Sequence, residues 1–234
     1  MATELAQQFD ISRLESDEGD LFEGLERFRD WAHSELYPEH GKFSYVQGVL
    51  EGEMSPESLH EHNFVKTRLT ISLGSLIDES QRGELFSDRS LFVNEAAAVA
   101  TEPDVMFCTW ESLETGRVKL LPYKNSAKGL VEVHGIPDLV VEIVSPSSVK
   151  KDKVRLKKAY YECGIPEYWL IDARGAKLNF TLFVRGDKDY QPVNTDADGY
   201  LFSPLFDRAF RLERNPHPLV GFQYRLLSRL KGQA

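Results

Sequence analysis

Asp138 and Glu142 stand at the head of, and inside, a run that is otherwise Leu139, Val140, Val141, Ile143 and Val144. Side chains alternate along an extended strand, so two residues four apart share a face, here with Val140 between them. Burying a carboxylate without a counter-charge is costly, and two on one face repel each other. The run therefore asks for something positive: a divalent metal ion, which hard oxygen ligands suit, or lysines from the following helix. Asp104, in a matching Pro-Asp context, opens an earlier strand and offers a third carboxylate from a neighbouring strand. Taken singly, Asp104 or Asp138 is equally well a solvated strand end. Glu142, inside the apolar run, is the acid whose position demands a function or a fixed partner.

The densest positive run follows, Lys150-Lys151-Asp152-Lys153-Val154-Arg155-Leu156-Lys157-Lys158, in a chain with 28 basic and 37 acidic residues and a net charge of -9. Bulk charge gives no attraction for nucleic acid, so a polyanion must meet a local patch, for which Lys150, Lys151 and Lys157 are the candidates. The plainer meaning of such a run is a solvated helix face. The stripe Leu156, Ala159, Tyr160 extends back one turn to Asp152 and Lys153, so Lys153 leans towards the sheet while Arg155 and Lys158 face water. A helix start also turns free N–H groups and the positive end of its dipole towards an anion. Carboxylates holding a metal, with a lysine beside them, suit phosphodiester hydrolysis: the metal acidifies a water and the lysine orients it or stabilises charge on phosphate. On this reading Asp104, Asp138 and Glu142 hold the ion, with a lysine of the following helix beside them. A carboxylate pair acting on a glycoside is a rival, but the lysine-rich helix suits a phosphate better than a neutral sugar.

The positioning elements are those of an α/β protein with a central mixed β-sheet flanked by helices. Leu21 to Leu36 has helical spacing, and Phe43 to Leu50 reads as strand, turn at Gly48, strand. A helix starts near Ser58 and runs to about Leu76, with Phe64, Val65, Leu69, Ile71, Leu73 and Leu76 apolar. After an irregular charged stretch, Leu91–Val93 and Val105–Cys108 are short strands, and Gly116 to Gly129 is a hairpin or loop excursion. Leu139–Val144 is apolar on both faces and so central. Lys150 to Cys163 is a helix, and Gly164 sits where a left-handed cap belongs. It leads into the strand Glu167–Asp172, making a right-handed crossover. Lys177–Val184 and Tyr200–Phe202 extend the sheet, and the amphipathic tail Gly221–Lys231 reads as a helix. Residues 1–40 form an N-terminal helical extension and 41–234 the main unit, a single domain overall. Tyr160, Tyr168 and Trp169 read as core aromatics, and His62 as a hydrogen-bonded residue on a helix flank.

Pro137 to Ser148 (PDLVVEIVSPSS), then Asp152, Tyr160, Gly164 and Glu167 to Asp172, with Met54-Ser55-Pro56, His62 and Pro103-Asp104-Val105 upstream, form a linked set. It resembles the Uma-type restriction-endonuclease family of the PD-(D/E)XK nuclease superfamily, over about Tyr45 to Phe183. The resemblance implies a restriction-endonuclease-like core, DNA as substrate, and Mg2+ (or Mn2+) as the ion. Asp104 and Glu142 match the two superfamily carboxylates, with Asp138 beside them. The superfamily lysine two places after the glutamate is Val144 here, and the relatives' usual lysine, four after Asp152, falls on Leu156. Lys153, one turn earlier, is the substitute, with Lys151 second. The displaced lysine gives as alternative a weakened nuclease-fold protein that binds nucleic acid or acts as a scaffold, and Val46 and Gln47, which stand where the family has acids before the first hairpin glycine, point the same way. Cutting two strands wants two sites, so a homodimer is a candidate assembly.

Two cysteines, Cys108 and Cys163, each in an apolar stretch, argue against a disulfide framework or cysteine-built zinc site. The N-terminus is acidic where a signal peptide needs a basic flank, and no run reaches a membrane span, so a soluble, cytoplasmic protein is expected.

Overall fold

The computed structural model describes residues 24–122, 129–146 and 148–232. The start of the expected first helix and residues 123–128 of the expected loop excursion lie outside the described residues. The first helix, α1 (Leu25–Ala32), precedes a six-stranded sheet. That sheet contains β1 (Lys42–Val46), β2 (Val49–Glu53), β4 (Leu91–Asn94), β5 (Val99–Thr101), β7 (Val118–Pro122) and β8 (Leu130–Gly135), in the order β2-β1-β5-β4-β8-β7. A second six-stranded sheet contains β3 (Gly83–Ser87), β6 (Val105–Thr109), β9 (Leu139–Ile143), β10 (Glu167–Asp172), β11 (Asn179–Arg185) and β12 (Tyr190–Pro192), in the order β12-β11-β10-β9-β6-β3. A three-stranded sheet, β13 (Leu201–Ser203), β14 (Arg208–His217) and β15 (Gly221–Leu230), completes the chain. The single mixed sheet expected from the sequence is thus two large sheets and a small one.

The second sheet is the middle layer, because strand alternation sends its apolar side chains to both faces. Val105 and Phe107 of β6, with Leu139, Val141 and Ile143 of β9, pack on one side against Val65, Leu69, Leu73 and Ile77 of α2 and against Leu212, Tyr224 and Leu226 of the small sheet. Here α2 comprises a π-helical turn (Leu59–Asn63) continued by an α-helix (Phe64–Ser80). Met106, Cys108 and Val140 point the other way, onto Leu156, Ala159 and Tyr160 of α4 and onto Val46, Phe92 and Val133 of the first sheet. A short helix α3 (Trp110–Glu114) follows β6, and helix α4 opens, like α2, with a π-helical turn (Lys151–Leu156) before its α-helical part (Lys157–Cys163). Each such buried side chain is worth about 1.5–3 kcal/mol, which fixes the order of the layers. The stripe of α2 recurs every four residues, while Ile71, expected among its apolar positions, is 53% exposed.

β9 and β10 pair in parallel through α4, as the strand-helix-strand pattern predicts. Gly164 caps α4 with φ +89°, the left-handed conformation glycine adopts without strain. The expected C-terminal helix is instead β15, paired antiparallel with β14 along its length. Its buried Tyr224 and Leu226 obey a period of two, and the core beneath them decides the matter. The charged stretch read as irregular contains β3, the edge partner of β6. No helix among the described residues is long and apolar enough to cross a membrane.

Candidate active site

β6 runs antiparallel to β9, with Val105 opposite Val141. Asp104, one residue before β6, therefore arrives beside Glu142, and its Oδ2 accepts a hydrogen bond from the Ile143 amide at 2.8 Å. Both carboxylates are buried, Asp104 1% and Glu142 3% exposed. They line an open cleft of about 540 Å³ whose walls also include Lys42, Glu57, His62, Lys66, Arg89, Lys151 and Asp152.

Asp104 is surrounded by donors. Lys42 Nζ, from the first residue of β1, donates to Oδ1 at 2.7 Å, and His62 Nε2, from the π-turn of α2, lies 3.2 Å from Oδ2. Burial opposes the Asp104 charge, but Lys42 and His62 outweigh it and hold the carboxyl well below the usual range. His62 spans two acids, since its Nδ1 meets Glu57 Oε1 at 2.5 Å. Burial disfavours its charge, but the hydrogen bonds to Asp104 and Glu57 carry its pKa up to about 9. His62 is thus a buried imidazolium bonded to the site, not the flank residue the sequence suggests.

Glu142 lives differently. Tyr160 donates its hydroxyl to Glu142 Oε1 at 2.5 Å, and burial followed by the nearby Asp104 charge pushes the carboxyl up. Asp152, 1% exposed on the π-turn of α4, is also pushed up by burial, against the pull of Lys151 and the Ser148 hydroxyl. Its Oδ1 is buried with no hydrogen-bond partner. Both helices that reach the cleft deliver their polar residue from a π-turn, an irregularity that often marks a functional site.

Of the sequence-predicted residues, the structure brings Asp104 and Glu142 together and leaves Asp138 apart. Asp138 shares the face of Glu142, but roughly 13 Å down the strand, at the end where β6 finishes. There its Oδ2 accepts from the Thr109 amide (2.8 Å), Thr109 Oγ1 (3.1 Å) and Ser112 Oγ (2.6 Å), and Arg117 pairs with Oδ1. Lys153 does not lean into the cleft either: its ammonium bonds Asp172 Oδ2 at 2.6 Å, at the end of β10. Lys151 lines the cleft, Lys150 is exposed at the start of α4, and Lys157 bonds Asp189 at 3.1 Å and lies over the Phe183 ring. Sequence reasoning missed Lys42, whose surroundings in the chain carry no local signal, and misjudged His62, whose place in the linked motif set was the available hint.

A divalent ion fits these donors. Among the described residues no three His, Cys, Asp or Glu groups form a ready-made cage. Magnesium does not need one, because it is usually held by one or two carboxylates with waters and substrate oxygens. The opposed pair Asp104 and Glu142 would supply the carboxylates, and the buried Asp152 Oδ1, which has no hydrogen-bond partner, would be a further acceptor for a cation.

Among solved structures, the chain is similar to a "putative nuclease belonging to DUF820" from Anabaena variabilis ATCC 29413, with TM-score 0.51 and 17% identity over 70% of this chain and 82% of that one. That likeness shows a shared mixed α/β fold. No curated protein matches significantly. The Uma2 family model, described as "Putative restriction endonuclease", matches residues 25–213, and the chain belongs to that family.

Proposed function

We propose that the chain hydrolyses phosphodiester bonds of DNA with the help of a divalent ion, Mg2+ or Mn2+, held by Asp104 and Glu142, with Asp152 close by. The carrying observation is the buried pair itself, two carboxylates set opposite each other by the β6–β9 register in an open cleft. When bound, the ion would supply a more acidic water and positive charge against the phosphate. The residues of the chain orient that chemistry. The Ile143 amide, Lys42 and His62 keep Asp104 ionised and fixed, and Tyr160 holds Glu142 in place. Lys150 and Lys151, at the start of α4, are placed to meet backbone phosphates entering the cleft, whereas Arg89 on its rim is held by the Glu39 and Pro38 carbonyls. Lys157 is taken up by Asp189 and the Phe183 ring, so its share is small. Two copies would serve the two strands of a duplex.

The test is supercoiled plasmid incubated with Mg2+ or Mn2+ and purified protein. Nicking that disappears with chelator and with Glu142→Ala is the expected result, and uncut plasmid under every ion would refute it. A second reading, a nucleic-acid binder without cleavage, is favoured by one observation. Leu156, where the relatives' lysine is expected, is fully buried in the apolar layer with Ala159 and Tyr160. Salt-sensitive DNA retention by protein that never cuts would select it.

A further inference from the structure

Leu156 cannot put a charge into the cleft, yet a lysine is there. Lys42 reaches Asp104 from β1, on the first sheet, and the fields of Glu142 and Asp152 also act on its ammonium. Its side chain is 25% exposed, so it is neither sealed in nor free in water. The turn into β1 is close-packed. Gly41 has φ +93°, and a Cβ there would collide with the Met54 sulfur and press on the Glu53 carbonyl, which belongs to the residue paired with Lys42. Of the other lysines and arginines around the cleft, Lys151 faces it from the start of α4, and Arg89 donates to the Glu39 and Pro38 carbonyls. Lys66 sits between Glu57 (2.6 Å) and Asp88 (3.1 Å), and Lys153 is held by Asp172 (2.6 Å).

Resting on the nuclease reading, we infer that Lys42 is a catalytic residue, its ammonium contacting the scissile phosphate in the role that the family resemblance implies for a lysine on α4. An ammonium has three donors; one is spent on Asp104 Oδ1, and two remain for a phosphate in the cleft. In the hydrolysis, water oxygen forms a bond to phosphorus as the bond from phosphorus to the sugar oxygen breaks. One water proton ends on the departing oxygen, so no further reactant is needed. Negative charge grows on the non-bridging oxygens in between, and a preset cation beside them lowers that barrier. Lys42 also screens Asp104, so it competes with any divalent ion for that carboxylate.

The experiment uses the full chain as wild type, Lys42→Gln, Lys42→Met and Lys42→Arg, with plasmid cutting in Mn2+ and Mn2+ titration calorimetry. Lys42→Gln keeps a donor towards Asp104 while removing the charge, so it tests the ammonium in a folded protein, verified by its melting curve. We expect its kcat to fall by ~10²–10³-fold, with KM for DNA changed only a few-fold, and Lys42→Arg to recover part of the loss. Lys42→Met is expected to bind Mn2+ at least as tightly as wild type. Wild-type cutting matched by Lys42→Gln overturns the assignment while leaving the nuclease reading intact. Loss of Mn2+ binding in folded Lys42→Gln also overturns it, because Lys42 would then merely build the ion site. Wild type that never cuts overturns both.

Discussion

Replacing Asp138 by Asn separates the two Pro-Asp motifs of this chain. The Asp138 carboxylate gathers three hydrogen bonds from Thr109 and Ser112 and the guanidinium of Arg117. An asparagine can turn its oxygen to Thr109 and Ser112, but its NH2 then faces Arg117, donor against donor. The bonds it keeps lose their charge assistance, about 1 kcal/mol each for the two shorter ones. The lost pair with Arg117, whose side chain is 34% exposed, adds no more than about 1 kcal/mol after solvent screening. The sum is about 3 kcal/mol, which for a chain of this size lowers Tm by roughly 6–12 °C. Thermal unfolding followed by circular dichroism reads that shift. Mn2+ calorimetry on the same sample, well below the transition, should match wild type. An unchanged Tm together with abolished Mn2+ binding would show that Asp138 belongs to the ion site and that the geometric separation misleads.

Three further outcomes follow from the charges in the cleft. His62 has a folded pKa of about 9, above its unfolded value near 6.5, so its stabilisation is complete below pH 6.5 and is lost as pH rises through 9; metal-free protein should lose up to about 3 kcal/mol over that window, and His62→Gln should flatten the denaturant-derived slope. Because burial and Asp104 hold Glu142 towards its protonated form, Mn2+ binding near pH 7 should release about one proton and tighten as pH rises, measured by calorimetry in buffers of different ionisation enthalpy; release of none would show Glu142 already ionised or uninvolved. Lys151→Ala should weaken DNA retention and reduce the slope of log affinity against log salt by about 0.9, and an unchanged slope would remove Lys151 from the phosphate path.

What the sequence reveals here is set by the range of the interaction. The face shared by Asp138 and Glu142 follows from local alternation and is correct. Which end of the strand Asp104 meets depends on β6 running antiparallel to β9, and nothing in either segment encodes that direction. The strand-helix-strand unit from β9 to β10 is legible because its apolar runs, its Gly164 cap and its short connections are all local. Gly221–Leu230 misleads because Tyr224, Leu226 and Leu227 satisfy a helical stripe as readily as an alternating one until the partner β14 is known. Lys153 misleads for a further reason: its helix begins as a π-turn, so a stripe extrapolated back at 3.6 residues per turn places Asp152 rightly but turns Lys153 to the sheet when it reaches Asp172 instead.

The same contrast governs the charges of the site. Asp104 and Glu142 are comparably buried, so desolvation alone would raise both carboxyls. They diverge because of what surrounds each one. Lys42, His62 and a strand amide reach Asp104, while Glu142 has the Tyr160 hydroxyl and the field of Asp104, which the more distant Lys42 and Lys151 offset only in part. One member is therefore fixed as an anion and the other is poised to become one when positive charge arrives. A pair built only for stability would gain from neutralising both, or from replacing both by apolar residues, since buried ions seldom repay their desolvation. Retaining a half-compensated acid beside a charged one, with a buried Asp152 oxygen that has no hydrogen-bond partner in the same cleft, is a cost that a cationic guest would offset.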